Sequence, residues 1–209
     1  MIEISMTEVT GWAAAIRGAR NPMNSWALSD TLWEASVAAY GVMIGEKDLA
    51  LMSKLAKAGG DHGKFMRMIH VSCDVNAPLY WWKEADQYKI GTTTNSTSTM
   101  HKIHAKEFTL DDFSTDHMSG HAFTAMRCVI VPQLNEEREK FNETKDKSYW
   151  WNMIQLLPSS YNQKRTLDLN YAVLRNMYHA RKNHKLNEWR TFCDWIESLP
   201  YAKELICDE

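Results

Sequence analysis

Paired cysteines are missing from this chain. Cys73, Cys128, Cys193 and Cys207 are widely spaced and make no CxxC pair, which argues against a zinc finger or a disulfide framework and suits a reducing cytoplasm. The opening MIEISMTEVTGW has neither a basic n-region nor an apolar h-region, so no secretory signal is expected. No run approaches the ~18 consecutive apolar residues that span a bilayer, and no membrane partner is expected. Neither charge sign dominates. Lys and Arg number 24 against 26 Asp and Glu, a net -2 that supplies no basic field for duplex nucleic acid. GxGxxG, Walker and GxSxG motifs are absent, which leaves Rossmann, P-loop and hydrolase chemistry without support. There is also no internal repeat, heptad run or low-complexity linker.

What remains is an ordinary globular composition, 44% hydrophobic and 24% charged over 209 residues. That length buries a full core, and the expectation is one mainly helical α+β domain over residues 1–209. Nine tryptophans and twelve methionines imply aromatic-rich packing or stacking surfaces.

Along the chain, residues 8–20 read as an Ala-rich helix or a strand–helix junction ending near Asn21-Pro22. Ser29-Asp30 could cap a helix over 31–45, with Leu32, Ala35, Val37, Ala39 and Val42 on its apolar face. Glu46-Lys47-Asp48 opens another, which stops at Gly59-Gly60. Phe65–Val75 alternates with a period of two and predicts a strand closed by Asn76-Ala77-Pro78. Trp81–Tyr88 predicts a short helix, and Thr109 with Asp111-Asp112 a helix start. Glu136–Trp151, Thr166–Lys182 and Leu186–Leu199 predict three more helices, the last burying Trp189, Phe192, Trp195 and Ile196.

Between Tyr88 and His101 lies the most unusual stretch. After Gly91 come eight residues, all Thr, Ser or Asn, expected as a polar loop. Short hydroxyl and amide groups suit a phosphate or a base edge, and glycine lets the backbone approach a ligand. The same composition also describes a solvated surface loop. The densest basic content, Lys164, Arg165, Arg175, Arg181, Lys182, Lys185 and Arg190, could add guanidinium donors to one anion if the 175–181 helix faces this loop. Otherwise it is surface charge near helix C-termini. The pairs His101/His104 and His117/His121 have helical i,i+3 and i,i+4 spacing, but no HExxH glutamate or third ligand accompanies them, and no metal is expected.

Taken in order, these segments resemble the flavin-dependent thymidylate synthases. The family's signature, RHRxxSxNExSxRY, is matched without gaps by YKIGTTTNSTSTMH, where Asn95 and Ser98 are shared and Thr93 replaces a serine. Upstream, LMSKLAKAGGDHGKFMR stands where a leucine-rich helix runs into GHxSxFEH, with Gly60 and Phe65 matching, and IRGARNP places Arg20 on the AARVS segment. Downstream, YHARKNHKLNEW resembles NLR…SHAQWE, with Arg181 on the arginine. The departures concentrate on charge. Tyr88, Lys89 and Ile90 stand for Arg-His-Arg, Ser96 for the Glu, Met100 for the phosphate-gripping arginine and Arg67 for the histidine of FEH. Each removes a charge-assisted hydrogen bond of about 1.5–3 kcal/mol where one is made.

The resemblance implies an α+β fold, a small antiparallel sheet with flanking helices, assembled as a homotetramer. It implies transfer of a one-carbon unit from methylene-tetrahydrofolate to C5 of a pyrimidine deoxynucleotide such as dUMP, with FAD and NADPH. It assigns Arg181 to catalysis, as the arginine that polarises the pyrimidine. Ser98, Thr93, His101 and Arg175 fall to the nucleotide, and Arg67, Tyr88, Lys89, Asn95 and Asn183 to the flavin. A descendant that binds a nucleotide or a protein partner without flavin, and an unrelated Trp-rich helical interaction module, are the alternatives.

Overall fold

The computed structural model describes residues 2–32 and 42–208. The helix expected over 31–45 falls largely on residues 33–41, outside the described residues. Two compact units divide the chain: Met1–Glu3, Val75–Gln87 and Asn95–Arg165 in one, and Ile4–Asp74, Tyr88–Thr94 and Thr166–Glu209 in the other.

The fold is α+β, built on an open antiparallel sheet of four strands in the order β1-β2-β4-β3. β1 is Glu3–Thr10 and is followed by helix α1, Trp12–Arg20, so the junction alternative for residues 8–20 holds. α2 spans Glu46–Ala58 and stops at Gly59, as its sequence predicts. The strand expected from Phe65 starts later. His62–Met68 is a 3-10 turn and β2 runs His70–Pro78. Gly63, Phe65 and Met66 are buried without a strict period of two, and burial alternates only from Ile69 on, through Val71, Cys73, Val75 and Ala77.

The Tyr88–His101 loop is also corrected: Thr93–Ser96 forms β3, an edge strand with all four residues exposed. Thr166–Lys182 divides as well. Its first half belongs to β4, Asn162–Asn170, and helix α7 is Tyr171–Arg181. The physical reason is the alternation of buried Gln163, Leu167 and Leu169 with Lys164, Thr166 and Asp168, which outweighs a helical reading of the same letters. β2 and β4 run antiparallel. Thr166 Oγ1 donates to Asp74 at 2.6 Å and Ser72 Oγ to Asp168 at 2.9 Å, one index rising as the other falls.

In the unit holding Val75–Gln87, α3 (Leu79–Ala85) buries Trp81 and Trp82, with ring centroids 4.8 Å apart at 73°. Trp82 Nε1 donates to the Gln163 carbonyl at 2.9 Å, and the Arg165 guanidinium lies 4.2 Å above its ring while pairing with Asp86. Thr109 and Asp112 make a reciprocal capping box around a 3-10 turn, as that stretch predicts. α4 is Gly120–Ala125. The helix expected over 136–151 is two, α5 (Val131–Thr144) and α6 (Lys147–Leu156). Lys145 adopts a left-handed φ of 59° and Asp146 caps α6 by accepting from Ser148 N at 2.9 Å, so the chain reverses inside the charged run. Ile103, Phe108, Phe113, Leu134 and Met153 form the core beneath.

In the other unit, α1 sets Trp12 edge-on against Tyr171 and Tyr201, with centroids at 5.3 and 5.6 Å. α8, Asn187–Glu197, buries Trp189, Phe192 and Ile196 as its spacing predicts. Arg20, which the resemblance places on the AARVS segment, is 4% exposed and paired with Asp48, itself 1% exposed. Asp48 also accepts from Ser29 Oγ and from Thr31 N and Oγ1. Burial alone would push this carboxyl up; the bonds from Thr31, Ser29 and Arg20, with the Arg20 charge, outweigh it and hold Asp48 below the ordinary carboxylate value. Among the described residues, no helix is long and apolar enough to cross a membrane.

Candidate functional site

Asn170 is where the strand β4 turns into the helix α7. Its Oδ1 accepts from Val173 N at 3.1 Å, capping the helix, and its Nδ2 donates to the Gly91 carbonyl at 3.4 Å. Gly91 holds a φ of +75°, and a Cβ there would lie 2.9 Å from Asn170 Nδ2 and 3.1 Å from Val173 Cγ2. Both facts demand glycine, because backbone and helix approach too closely for a side chain. The segment from Tyr88 to Gly91 is thereby laid along α7, pinned at one end by Asn170.

At the other end stands Arg181, in the last turn of α7. Its Nε donates to Tyr88 Oη at 3.0 Å. Its guanidinium lies 4.9 Å from the Trp189 ring centroid and 5.7 Å from that of Tyr88, while the two rings meet edge to face at 6.0 Å. Trp189 is fully buried, so the arginine is braced against a fixed wall. A guanidinium held over aromatic rings and hydrogen-bonded at Nε is preorganised for a planar anionic or carbonyl partner.

The sequence-expected residues distribute as follows. Arg181, Tyr88, Lys89 and Thr93 belong to one unit and one neighbourhood, with the Arg181–Tyr88 contact direct. Arg175 lies on the same helix but donates from Nη1 to the carbonyls of Leu205 and Ile206 at 3.1 and 3.0 Å, holding the Lys203–Cys207 turn. Arg67 is exposed on the 3-10 turn that packs against α7, and Asn183 is exposed just past the end of that helix.

Asn95, Ser98 and His101 belong to the other unit. Ser98 Oγ accepts from the backbone N–H groups of Met100 and His101, at 3.3 and 2.8 Å, and so shapes the turn. The helical face expected for His101 and His104 does not form, since residues 101–104 are turns; His117 likewise precedes the helix that carries His121. Sequence reasoning missed Asn170 altogether, having placed it inside a helix. The signal was there: an Asn three residues ahead of Val173, directly after the Leu167/Leu169 alternation.

Asn170 lends itself to a split test. Asn170→Ala removes both bonds and should lower stability by about 1–2 kcal/mol, the range of a lost N-cap. Asn170→Asp keeps the capping oxygen and loses only the donor to Gly91. Denaturant unfolding should find the aspartate near wild type, whereas limited proteolysis at 88–92 should accelerate in both variants. Equal stability loss in the two would show that the cap is not what Asn170 supplies.

No family model and no curated protein matches this sequence. Solved structures do. A crystal structure of thymidylate synthase X (ThyX) from Helicobacter pylori with FAD and dUMP superposes with a TM-score of 0.70 at 16% identity, over 99% of this chain and 97% of that one. A second structure, the flavin-dependent thymidylate synthase ThyX of Helicobacter pylori complexed with FAD and dUMP, gives 0.68 at 15% identity, over 98% and 97%. The chain has the ThyX fold. Coverage of both chains is nearly complete, so the ThyX fold accounts for both compact units and for the α+β class expected from sequence. At this identity the ThyX likeness is one of architecture.

Proposed function

We propose that this chain is a ThyX-type enzyme: a flavin-dependent transferase that moves a one-carbon unit from methylene-tetrahydrofolate to C5 of a pyrimidine deoxynucleotide, dUMP or a relative, with NADPH as reductant. The observation that carries the reading is Arg181, fixed by Tyr88 and Trp189 beside the segment that stands in the place of the signature.

The residues present suit a flavin nucleotide. Thr92 Oγ1 is buried without a hydrogen-bond partner among the described residues, an orphan that the polar edge of a heterocycle would satisfy. Ile90, 93% exposed, and the Tyr88 ring offer apolar area, and the exposed Lys89 and Arg67 are cations for a diphosphate. In this reading Arg67, Tyr88, Lys89, Asn95 and Asn183 hold FAD, which when bound supplies the redox and carbon-carrying chemistry. Thr93, Ser98, His101 and the remaining donors of Arg175 hold the nucleotide. Arg181 polarises a pyrimidine carbonyl and stabilises the negative charge that grows there as C5 reacts. No thiolate is needed. Burial pushes the Cys73 and Cys193 thiols up to about 12 and raises Cys207 as well, so none of the three is a nucleophile at neutral pH. A cytoplasmic homotetramer, with groups supplied by more than one copy, completes the proposal.

The test is direct. Purified protein equilibrated with excess FAD should retain flavin absorbance through gel filtration, and with methylene-tetrahydrofolate and NADPH it should release tritium from C5-labelled dUMP. Protein that stays colourless and releases nothing sinks the proposal. A second reading, a nucleotide-binding descendant without flavin, is favoured by Tyr88-Lys89-Ile90 and Met100 in place of charged groups. It predicts nucleotide binding without turnover, and flavin-dependent tritium release rules it out.

A further inference from the structure

Gln163 is a buried amide in β4, 6% exposed, at a place where an apolar side chain would need no partners. Both ends of the amide are used. Its Oε1 accepts from Arg165 Nε at 3.0 Å, and its Nε2 donates to the Thr97 carbonyl at 2.8 Å. The arginine is held in turn. Its side chain is 13% exposed, Nη1 and Nη2 donate to the two Asp86 oxygens at 2.6 and 3.4 Å, and its guanidinium lies 4.2 Å above the Trp82 ring. Because a guanidinium only donates and a carbonyl only accepts, the Gln163 amide has a single satisfied orientation. Asp86, Arg165, Gln163 and Thr97 all belong to one unit.

The Thr97 carbonyl shares a planar peptide group with Ser98 N, so the Gln163 bond sets the plane through which the chain enters Ser98. Thr97 N donates to the Lys164 carbonyl at 2.9 Å, which ties the other side of Thr97 to β4 as well. Ser98 Oγ already accepts from Met100 N and His101 N, so what its hydroxyl offers an anion is its hydrogen. A neutral donor of that kind is most useful where its direction is set before the ligand arrives. We propose that Gln163 is a positioning residue for nucleotide binding: held by Arg165, it keeps the Ser98 hydroxyl aimed at the nucleotide. The inference rests on the ThyX-type reading, in which Ser98 holds that ligand.

The probe is dUMP, titrated calorimetrically into the full chain equilibrated with FAD. Gln163→Glu keeps the shape and the Arg165 partner but sets a second acceptor against the Thr97 carbonyl. It should bind dUMP about tenfold more weakly, with a melting temperature close to wild type. In tritium release the same variant should raise KM for dUMP about tenfold and leave kcat within about twofold, the split expected when binding alone is lost. Ser98→Ala should also weaken dUMP about tenfold. Gln163→Glu in that background should add less than about twofold, since the amide acts through the hydroxyl. Arg165→Lys keeps the charge beside Asp86 and loses the Nε donor, a second route to the same loss should Gln163→Glu not fold. It should weaken dUMP about three- to tenfold, and not at all in the Ser98→Ala background. Wild-type affinity in both variants, fully additive losses, or a fall in kcat with KM unchanged would overturn the proposal and leave the ThyX-type reading in place. A wild type that binds neither FAD nor dUMP would overturn that reading, and the role of Gln163 with it.

Discussion

Arg181→Ala lowers flavin-dependent tritium release by about 10²–10³-fold, the loss seen when one preorganised donor facing developing charge is removed. The magnitude follows from how the group is held. Its Nε is committed to Tyr88 Oη at 3.0 Å and its plane is braced against the Trp189 ring, so little reorganisation is left for the moment of reaction. Arg181→Lys should fare nearly as badly despite keeping the charge, because an ammonium has neither the planar fork nor the stacking face. Tyr88→Phe keeps the ring and loses only the acceptor; a smaller loss, about three- to tenfold, is expected from a misoriented guanidinium. The signature of a contact made in the transition state is a fall in kcat and kcat/KM together, with KM little changed. If folded Arg181→Ala protein turns over at the wild-type rate, the arginine has no part in the chemistry. If Ser98→Ala and Arg181→Ala each shift nucleotide affinity by less than about threefold, the site is misassigned even though the fold stands.

Asp48→Asn destabilises the fold by about 3–5 kcal/mol, the cost of leaving one member of a buried ion pair without its partner. The neutral amide strands the Arg20 guanidinium, which is 4% exposed and already has Nη2 unpartnered. Arg20→Met should cost a similar amount, and the double variant Arg20→Met/Asp48→Leu should recover much of the loss, because neither charge then remains buried. Equal, additive losses in the double variant would mean the pair is not coupled.

The pH dependence has a defined sign. The folded Asp48 carboxyl titrates below its unfolded value of about 3.9, so the folded state binds fewer protons through that range. Its stabilisation is complete above the unfolded value and is lost as pH falls through the folded one. Denaturation midpoints measured from neutral pH down into acid should drop more steeply in wild type than in Asp48→Asn.

Legibility in the sequence tracked the range over which each signal acts. α2 ended at Gly59 and α8 buried Trp189, Phe192 and Ile196 as expected, because caps and a 3.6-residue apolar stripe are local. Phe65–Met68 and Thr166–Asn170 were misread for the opposite reason. Short apolar runs fit a strand, a 3-10 turn or a helix almost equally, and the neighbouring strands decide. β3 was hidden behind a composition that reads as loop. Thr and Ser hydroxyls serve an exposed edge as well as a turn, and only pairing with β4 makes Thr93–Ser96 a strand. The charged run 136–151 concealed its break because Lys145, not glycine, takes the left-handed turn.

By itself, the sequence determined the α+β class and the order of segments that resembles a flavin-dependent thymidylate synthase. Those properties are carried by residue order and spacing, which exist before the chain folds. Tertiary structure alone decided that Arg20 is buried against Asp48, that Arg175 donates from Nη1 to the C-terminal turn, and that Asn170 ties Gly91 to the start of α7. Each of these depends on which distant groups share a desolvated space, where a hydrogen bond or charge is worth far more than in water, and residue order does not encode that directly.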